Sequence, residues 1–369
     1  MRFLMLNWRD PENPLTGGAE RVTMAYLKAL VDRGHEAWWF SFDFPGAKAE
    51  TVIDGVHIVR GGDKGSAIFK AKAWYQKQPR FDLVIDQHHG IPWFAPWWCG
   101  TNNIAYIHEV LGPIWDAFYG WPISAIGRTQ ERWTHYAYQD VPFFTASADT
   151  KRQLHEHGVK DVTIIPYGVH TRALPELEQK KLAAPYKLIV VSRLAPNKRI
   201  DHAVLTHKIL RARGVNTHLT IVGGGETEGL LKSIVAENNL QSSVRFTGPI
   251  SEAEKDALLR ESHFLLHTSQ REGWGLNVIE ANAMGTPGAV YAVPGLVEST
   301  LDNETGVLAK AETPESLADR LTEAFQSDAQ YQQWRVNGWN RAKTFHWDSV
   351  LPRACDWLEQ MAQGKGNRP

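Results

Sequence analysis

The sequence predicts an α/β protein of two domains, and three observations carry that prediction. Short apolar runs alternate with amphipathic stretches along the whole chain, the pattern of βα units that build mostly parallel sheets with helices on both faces. The series restarts after residues 168–185, a polar stretch that carries Pro175 and Pro185 and shows no clear period. The length of 369 residues exceeds the roughly 100–200 residues of one ordinary domain. The expected division is residues 1–170, residues 171–345 and a tail of residues 346–369.

In chain order, residues 3–7 read as a first strand and residues 18–33 as a helix stopped by Gly34. Residues 37–42, 81–86, 104–108 and 143–146 read as further strands. The second series opens with a strand at residues 187–192 and a helix at 201–213 closed by Gly214. A strand at 218–222 then runs into Gly223-Gly224-Gly225, and another follows at 263–267. Ser251 with Glu254 makes a capping box, and Thr313-Pro314 places an N-cap before a proline at N1, so helices begin at both.

Charge and composition remove several function classes. Forty Lys+Arg against 41 Asp+Glu leave a formal charge of −1, without the basic field that nonspecific nucleic-acid binding needs. Two cysteines cannot staple a secreted scaffold or complete a thiolate zinc site, and they suit a reducing compartment such as the cytoplasm. The start MRFLMLNW reads as a strand rather than a leader. The longest stretch free of charged residues, 87–108, is broken by Pro92, Pro96, Gly90 and Gly100, which disfavours a spanning helix. His88-His89 alternate faces on a strand and find no third ligand, and His155 and His157 diverge on a helix and read as solvated. No metal site is expected. The glycine run at 223–225 is not a dinucleotide fingerprint, and no GxxxxGK[ST] occurs.

The richest segment is Arg271-Glu272-Gly273-Trp274-Gly275-Leu276-Asn277-Val278-Ile279-Glu280, which follows a strand and opens a helix. A glycine-bracketed loop at a helix start presents free backbone N–H groups at the positive end of the helix dipole, suited to phosphate or hydroxyl-rich ligands. Glu272 and Glu280 stand eight residues apart. Were every step helical they would span roughly 12 Å, beyond the ~5–9.5 Å of a glycosidase carboxyl pair. They would touch different ends of an extended ligand.

This segment resembles the Glu-x7-Glu signature of the retaining nucleotide-sugar glycosyltransferases of glycosyltransferase family 4, which have the GT-B fold of two facing Rossmann-like domains with an interdomain cleft. Residues 190–199, Val-Val-Ser-Arg-Leu-Ala-Pro-Asn-Lys-Arg, are similar to the family's Arg-Leu-x-x-x-Lys segment, and residues 16–22, 165–169 and 246–251 extend the likeness. Arg193 and Lys198 at that spacing would clamp a diphosphate, Arg as a fork and Lys as a point charge. With no Asp-x-Asp in the chain, they would stabilise the leaving nucleotide in place of a metal, and no cofactor is expected. The resemblance further implies that Glu280 holds the ribose and Glu272 lies by the transferred sugar. It places His108, at a strand end, near that sugar, and the backbone at Ile250 near the base. Gly223 and Gly224 would let the chain approach the nucleotide, and backbone around Gly273, Trp274, Gly275, Leu276 and Asn277 would face sugar and phosphate. Gly17 and Gly18 either present N–H groups to the reacting atoms or only form the turn.

Ten of the 15 Trp fall before residue 134, in the half that takes the acceptor in enzymes of this fold. Trp93, Trp115 and Trp121, with Phe118 and Tyr119 beside them, are the acceptor candidates, since aromatic faces pack on sugar rings and indole favours membrane interfaces. The expected partners are thus a nucleotide-sugar donor, GDP-mannose or a UDP-sugar, and a glycan or polyprenyl-linked saccharide acceptor, with peripheral contact at the inner face of the membrane. The tail would cross back to the first domain, as in relatives of this fold. Two alternatives stand beside transfer: a nucleotide-sugar 2-epimerase or hydrolase on the same scaffold, and a non-catalytic carbohydrate-binding protein.

Overall fold

A computed structural model describes residues 1–88, 90–112, 115 and 119–364. The chain forms two compact units, residues 1–166 with 350–369, and residues 167–349. Each is a Rossmann-like α/β layer structure with a parallel sheet.

In the first unit, β1 (Arg2–Leu6), β2 (Glu36–Ser41), β3 (Glu50–Ile53), β4 (Val56–Arg60), β5 (Leu83–His88), β6 (Asn102–Ile107), β7 (Phe143–Thr145) and β8 (Val162–Ile164) form one sheet. Its order is β3-β4-β2-β1-β5-β6-β7-β8, and only β3 runs antiparallel. β3 and β4 form a hairpin whose turn residues, Asp54 and Gly55, both have positive φ, as an Asp-Gly hairpin turn requires. The helix Gly18–Asp32 buries Val22, Tyr26, Leu27 and Leu30 on its sheet face. The loop between β1 and this helix is pinned by Asp10, which accepts from Arg60 Nε at 2.7 Å and from the Ser41 hydroxyl at 2.8 Å, with Asp10 and Arg60 side chains fully buried.

β5 begins and ends two residues later than the apolar run suggests. Its end is polar yet buried: Asp86 and Gln87 find partners, and His88 packs among aromatic rings. Asp86 accepts the Trp93 and Ala95 N–H groups at 2.9 and 3.0 Å and the Tyr138 hydroxyl at 2.7 Å. The helix Trp347–Ala362 contributes its residues from Val350 on to this unit. There Arg33 donates to Asp356 and Glu359 at 2.7 and 3.0 Å, and Trp357 lies 5.3 Å from Phe144, ring to ring.

The second unit is a six-stranded parallel sheet: β9 (Tyr186–Val191), β10 (Thr217–Val222), β11 (Val244–Gly248), β12 (Phe264–His267), β13 (Gly288–Tyr291) and β14 (Gly306–Ala309), in the order β11-β10-β9-β12-β13-β14. Both predicted caps form: the Ser251–Glu254 capping box starts the helix Glu252–Glu261, and Thr313 caps the helix Pro314–Ala324 through the Ser316 N–H. The polar stretch before β9 packs on this unit. The Leu174 N–H bonds the Ala283 carbonyl at 3.0 Å, and the buried Lys180 ammonium bonds the Ser262 carbonyl and the Thr286 hydroxyl at 2.5 and 2.8 Å.

Candidate active site

Ligands of open α/β sheets bind outside the carboxyl ends of the strands where the strand order reverses. In the second unit that point is β9, which pairs with β10 on one side and β12 on the other. The loops leaving β9 and β12 there are tied to each other. Arg199, at φ +45°, donates to the Thr268 and Ser269 carbonyls, both at 2.9 Å, and the Gln270 N–H bonds the Asn197 carbonyl at 3.0 Å.

That stitching brings Lys198 onto Glu272: Nζ stands 2.5 Å from Oε1. The Ser269 hydroxyl donates to the same oxygen at 2.6 Å, and His267 Nε2 lies 3.4 Å from it. Burial by itself would raise the Glu272 carboxyl, but His267, Lys198 and Ser269 together hold it below the ordinary glutamate range. Burial pushes His267 down to about 4, so it is neutral at pH 7. Arg193 is exposed, and no ion pair is found for it among the described residues. The two cations expected to act alike therefore differ: Arg193 is open to a ligand, and Lys198 is already paired.

Glu280, on the helix Leu276–Ala283, meets Lys255 from the helix Glu252–Glu261, with Nζ 3.0 Å from Oε2. Lys255 is nearly buried and also contacts Glu252 at 2.5 Å and Asp256 at 3.9 Å. Burial raises the Glu280 carboxyl, Glu252 and Asp256 push the same way, and Lys255 opposes them. Only the last five of the eight steps from Glu272 to Glu280 are helical, because Gly275 caps the helix at φ +77°.

The glycines sort by what requires them. A Cβ on Gly223 (φ +123°) would stand 2.0 Å from the Ser192 carbonyl oxygen, and one on Gly224 would meet the Pro249 ring at 3.3 Å. The fold itself thus requires glycine at 223, for the chain's approach to the exit of β9. Gly18 and Gly273 have no atom within 4 Å of such a Cβ and no positive φ, so the fold does not require glycine at either. Gly17 donates its N–H to Glu20 Oε2 at 2.7 Å, a capping interaction that fixes the helix start. Trp274 is buried against Phe345 and contributes packing, and Asn277 Nδ2 bonds the Val191 carbonyl at 2.9 Å. Ile250 is half-buried in the loop after β11.

In the first unit the order reverses at β1, between β2 and β5. His108, just past β6, is held by Gln87 Nε2 at 2.9 Å from its Nε2, and the Thr23 hydroxyl donates to Gln87 Oε1 at 3.0 Å. Tyr106 stands 3.3 Å from His108 Nδ1.

The aromatic candidates require correction. Trp93 is 3 % exposed and packs edge-on against Phe40 and beside Phe42, so it is a core residue and offers no face to an acceptor. Trp115 lies half-buried on Gly127, and Trp121 is 86 % exposed. Phe118 and His89 lie outside the described residues. His157 is not solvated: its Nδ1 is 2.8 Å from that of buried His135. His88 is buried against Tyr138 and Phe143 with neither ring nitrogen hydrogen-bonded.

Sequence reasoning missed His267, Ser269 and Lys255 at the site, and Gln87 and Thr23 behind His108. Lys255 carried a signal, since its cation sits in a helix where the core-facing position calls for an apolar residue.

Comparison with known proteins agrees with this fold. Residues 16–173 match the family model "Glycosyltransferase Family 4" and residues 175–341 match "Glycosyl transferases group 1". Glycogen synthase of Mycobacterium tuberculosis is 26 % identical over 345 residues, covering 83 % of this chain and 82 % of that protein. Among solved structures, sucrose-phosphate synthase from Thermosynechococcus elongatus superposes with a TM-score of 0.75 at 18 % identity, covering 98 % of this chain and 99 % of that one. Anabaena HepE in complex with UDP-glucose superposes with a TM-score of 0.71 at 16 % identity, covering 98 % and 100 %.

Proposed function

Because the chain belongs to the GT-B glycosyltransferases, we propose that it is a family 4 enzyme that moves a hexose, with retention and without a metal, from a nucleoside diphosphate sugar to a hydroxyl of a glycan or lipid-linked saccharide. One observation carries this reading: Arg193, Lys198 and Glu272 leave neighbouring strand ends at the switch point, with Lys198 and Glu272 in contact. A diphosphate needs cations and a sugar needs hydroxyl acceptors, and the same few residues supply both.

In this reading Arg193 forks onto the diphosphate, and Lys198, which has three N–H donors, keeps Glu272 in place while reaching a phosphate oxygen. Negative charge grows on that phosphate as the glycosidic bond breaks, so fixed cations there stabilise the transition state more than the ground state. Glu272, held ionised, orients the sugar's hydroxyls. Glu280 takes the ribose diol, and Gly273 lets backbone N–H groups at the helix start come close to the ligand. The acceptor hydroxyl attacks from the face the nucleotide leaves, and the departing phosphate takes its proton. A UDP-sugar is the first donor to try, since HepE was solved with UDP-glucose, with GDP-mannose second.

The test is thermal stabilisation of the EDTA-treated protein by UDP, GDP, ADP, CDP and dTDP and their sugars, because a ligand that binds only the folded state raises the midpoint. A responding nucleotide then enters a transfer assay. Sugar released or isomerised without acceptor would support hydrolase or 2-epimerase activity instead. Glycan binding with no nucleotide response would support a carbohydrate-binding protein.

A further inference from the structure

The helix Ile123–Ala137 is inverted. Its inward face is small and polar: Ser124, Gly127, Glu131, Thr134 and His135 are its buried residues. Its outward face carries Ile123, Ile126, Trp133 and Tyr136, which are 56 %, 64 %, 61 % and 61 % exposed, and Trp121 precedes it. At 100° per residue these four positions fall within one arc of roughly 140°. An ordinary surface helix shows the opposite arrangement, with the apolar stripe turned to the core. Thr129 and Gln130 share the arc, but core packing does not explain the large apolar side chains outside, and an exposed group of them marks an interaction surface.

Charge identifies the occupant. The helix has one carboxylate, Glu131, and it is turned inward, 3 % exposed, accepting the Leu111 and Gly112 N–H groups at 2.8 and 2.9 Å. Its two arginines, Arg128 and Arg132, flank the apolar arc on one side, with Arg132 exposed. Apolar side chains of intermediate reach, two indoles, a phenol and flanking cations with no outward acid match the headgroup region of an anionic bilayer. A second copy of the chain fits less well, since a two-fold pairing of this face would bring arginines together with no helix carboxylate to meet them. The hollow on this face, between Trp121 and Trp133 and lined by Ala125, Ile126 and Thr129, is wide open and does not enclose a peptide.

We propose that the helix Ile123–Ala137, together with Trp121, docks the protein on an anionic lipid surface, lying in the plane of the headgroups. The attachment proposed is peripheral and reversible. The proposal is independent of the donor chemistry and goes beyond it, placing the enzyme where a lipid-linked acceptor would be found.

The experiment is co-sedimentation of the full chain with vesicles of phosphatidylcholine alone and of phosphatidylcholine mixed with phosphatidylglycerol. The expected result is binding to the mixed vesicles, weakened by salt, and little to the neutral ones. Ile126→Ser, Trp133→Ser and Arg132→Glu should each weaken it by roughly tenfold, with the melting midpoint and the response to nucleotide unchanged. Absence of binding to the mixed vesicles, or binding untouched by all three substitutions, overturns the proposal. Light scattering provides the remaining arm: a dimer that Trp133→Ser dissolves would assign the face to a second copy and overturn it equally.

Discussion

Lys255→Met removes one ammonium and keeps the side-chain stem, so its effect isolates the charge beside Glu280. At the 3.0 Å separation found here, an ion pair in an effective dielectric near 20 is worth about 5–6 kcal/mol gross. Desolvation of two nearly buried ions offsets several kcal/mol of that. A net of about 2 kcal/mol for holding Glu280 ionised and aimed is left, close to 30-fold in affinity. The groups facing Glu280 are Lys255, Glu252 and Asp256, and without Lys255 every remaining influence raises its carboxyl further. Glu280 would then take up a proton at a higher pH than it does beside Lys255, and ribose binding, which uses the carboxylate, would be lost first on the acid side. The expected result is a donor KM raised about 10- to 30-fold at neutral pH, kcat little changed, and a deficit that narrows as pH rises. Initial rates with donor titrated between about pH 6 and pH 9 read this directly. Lys255→Arg should restore most of the affinity, and Glu280→Gln should show the same loss without the pH dependence. A donor KM unchanged in Lys255→Met, beside a raised one in Glu280→Gln, refutes the positioning role; both unchanged refutes the ribose assignment itself.

Glu272→Gln should lower kcat by about 10²–10³ at an unchanged melting midpoint, the size of effect seen when one transition-state contact is removed, and Arg193→Ala should lower donor kcat/KM by about 10- to 100-fold; wild-type rates in either folded variant would defeat the site. Gly223→Ala forces a Cβ to 2.0 Å from a carbonyl oxygen and should cost at least ~2–3 kcal/mol of stability, whereas Gly273→Ala should leave the midpoint in place and weaken the stabilisation by nucleotide; differential scanning fluorimetry reads both. Burial depresses His88 and His135 to about 3, below their unfolded value. The unfolded chain therefore binds more protons, and the stability they contribute is full above about pH 6.5 and falls as pH drops toward 3. At pH 5 each would have lost roughly 2 kcal/mol, so the midpoint should drop by several degrees between pH 7 and pH 5, and His88→Leu should flatten that slope.

What was legible in the sequence was local or carried by a whole motif. Strands β1, β2, β9 and β10 fall within a residue of the apolar runs because those runs are short, buried and bounded by glycine or charge. The helix start between Glu272 and Glu280 could be read from the glycines that bracket the loop. The hairpin of β3 and β4, with its Asp54-Gly55 turn, is absent from the sequence reading because its strands are half polar. Contacts between distant residues were not legible. Lys198 and Glu272 are 74 positions apart, and nothing in either segment says that the cation binds the carboxylate. Trp93 shows the complementary failure: composition counts indoles and is silent on which of them the Phe40–Phe42 strand end will cover.

The position of buried polar groups separates what the fold needs from what the chemistry needs. Sheet interiors in both units are apolar, as parallel strands covered on both faces must be. At the carboxyl ends this changes. β5 ends in Asp86, Gln87 and His88, and β12 ends in His267 and passes through Thr268 and Ser269, all buried. Each such group carries a desolvation penalty that only a hydrogen bond offsets, and a chain selected for stability alone would place valine or leucine there. Some of these groups repay the penalty structurally, as Asp86 does by fixing the backbone at Trp93 and Ala95. Ser269 and His267 do not: their shared object is one oxygen of Glu272, which Lys198 already neutralises. Three groups converging on a single carboxylate oxygen leave the other oxygen oriented and the charge fixed. Under the function proposed above, that oriented oxygen is the one that meets the sugar's hydroxyls.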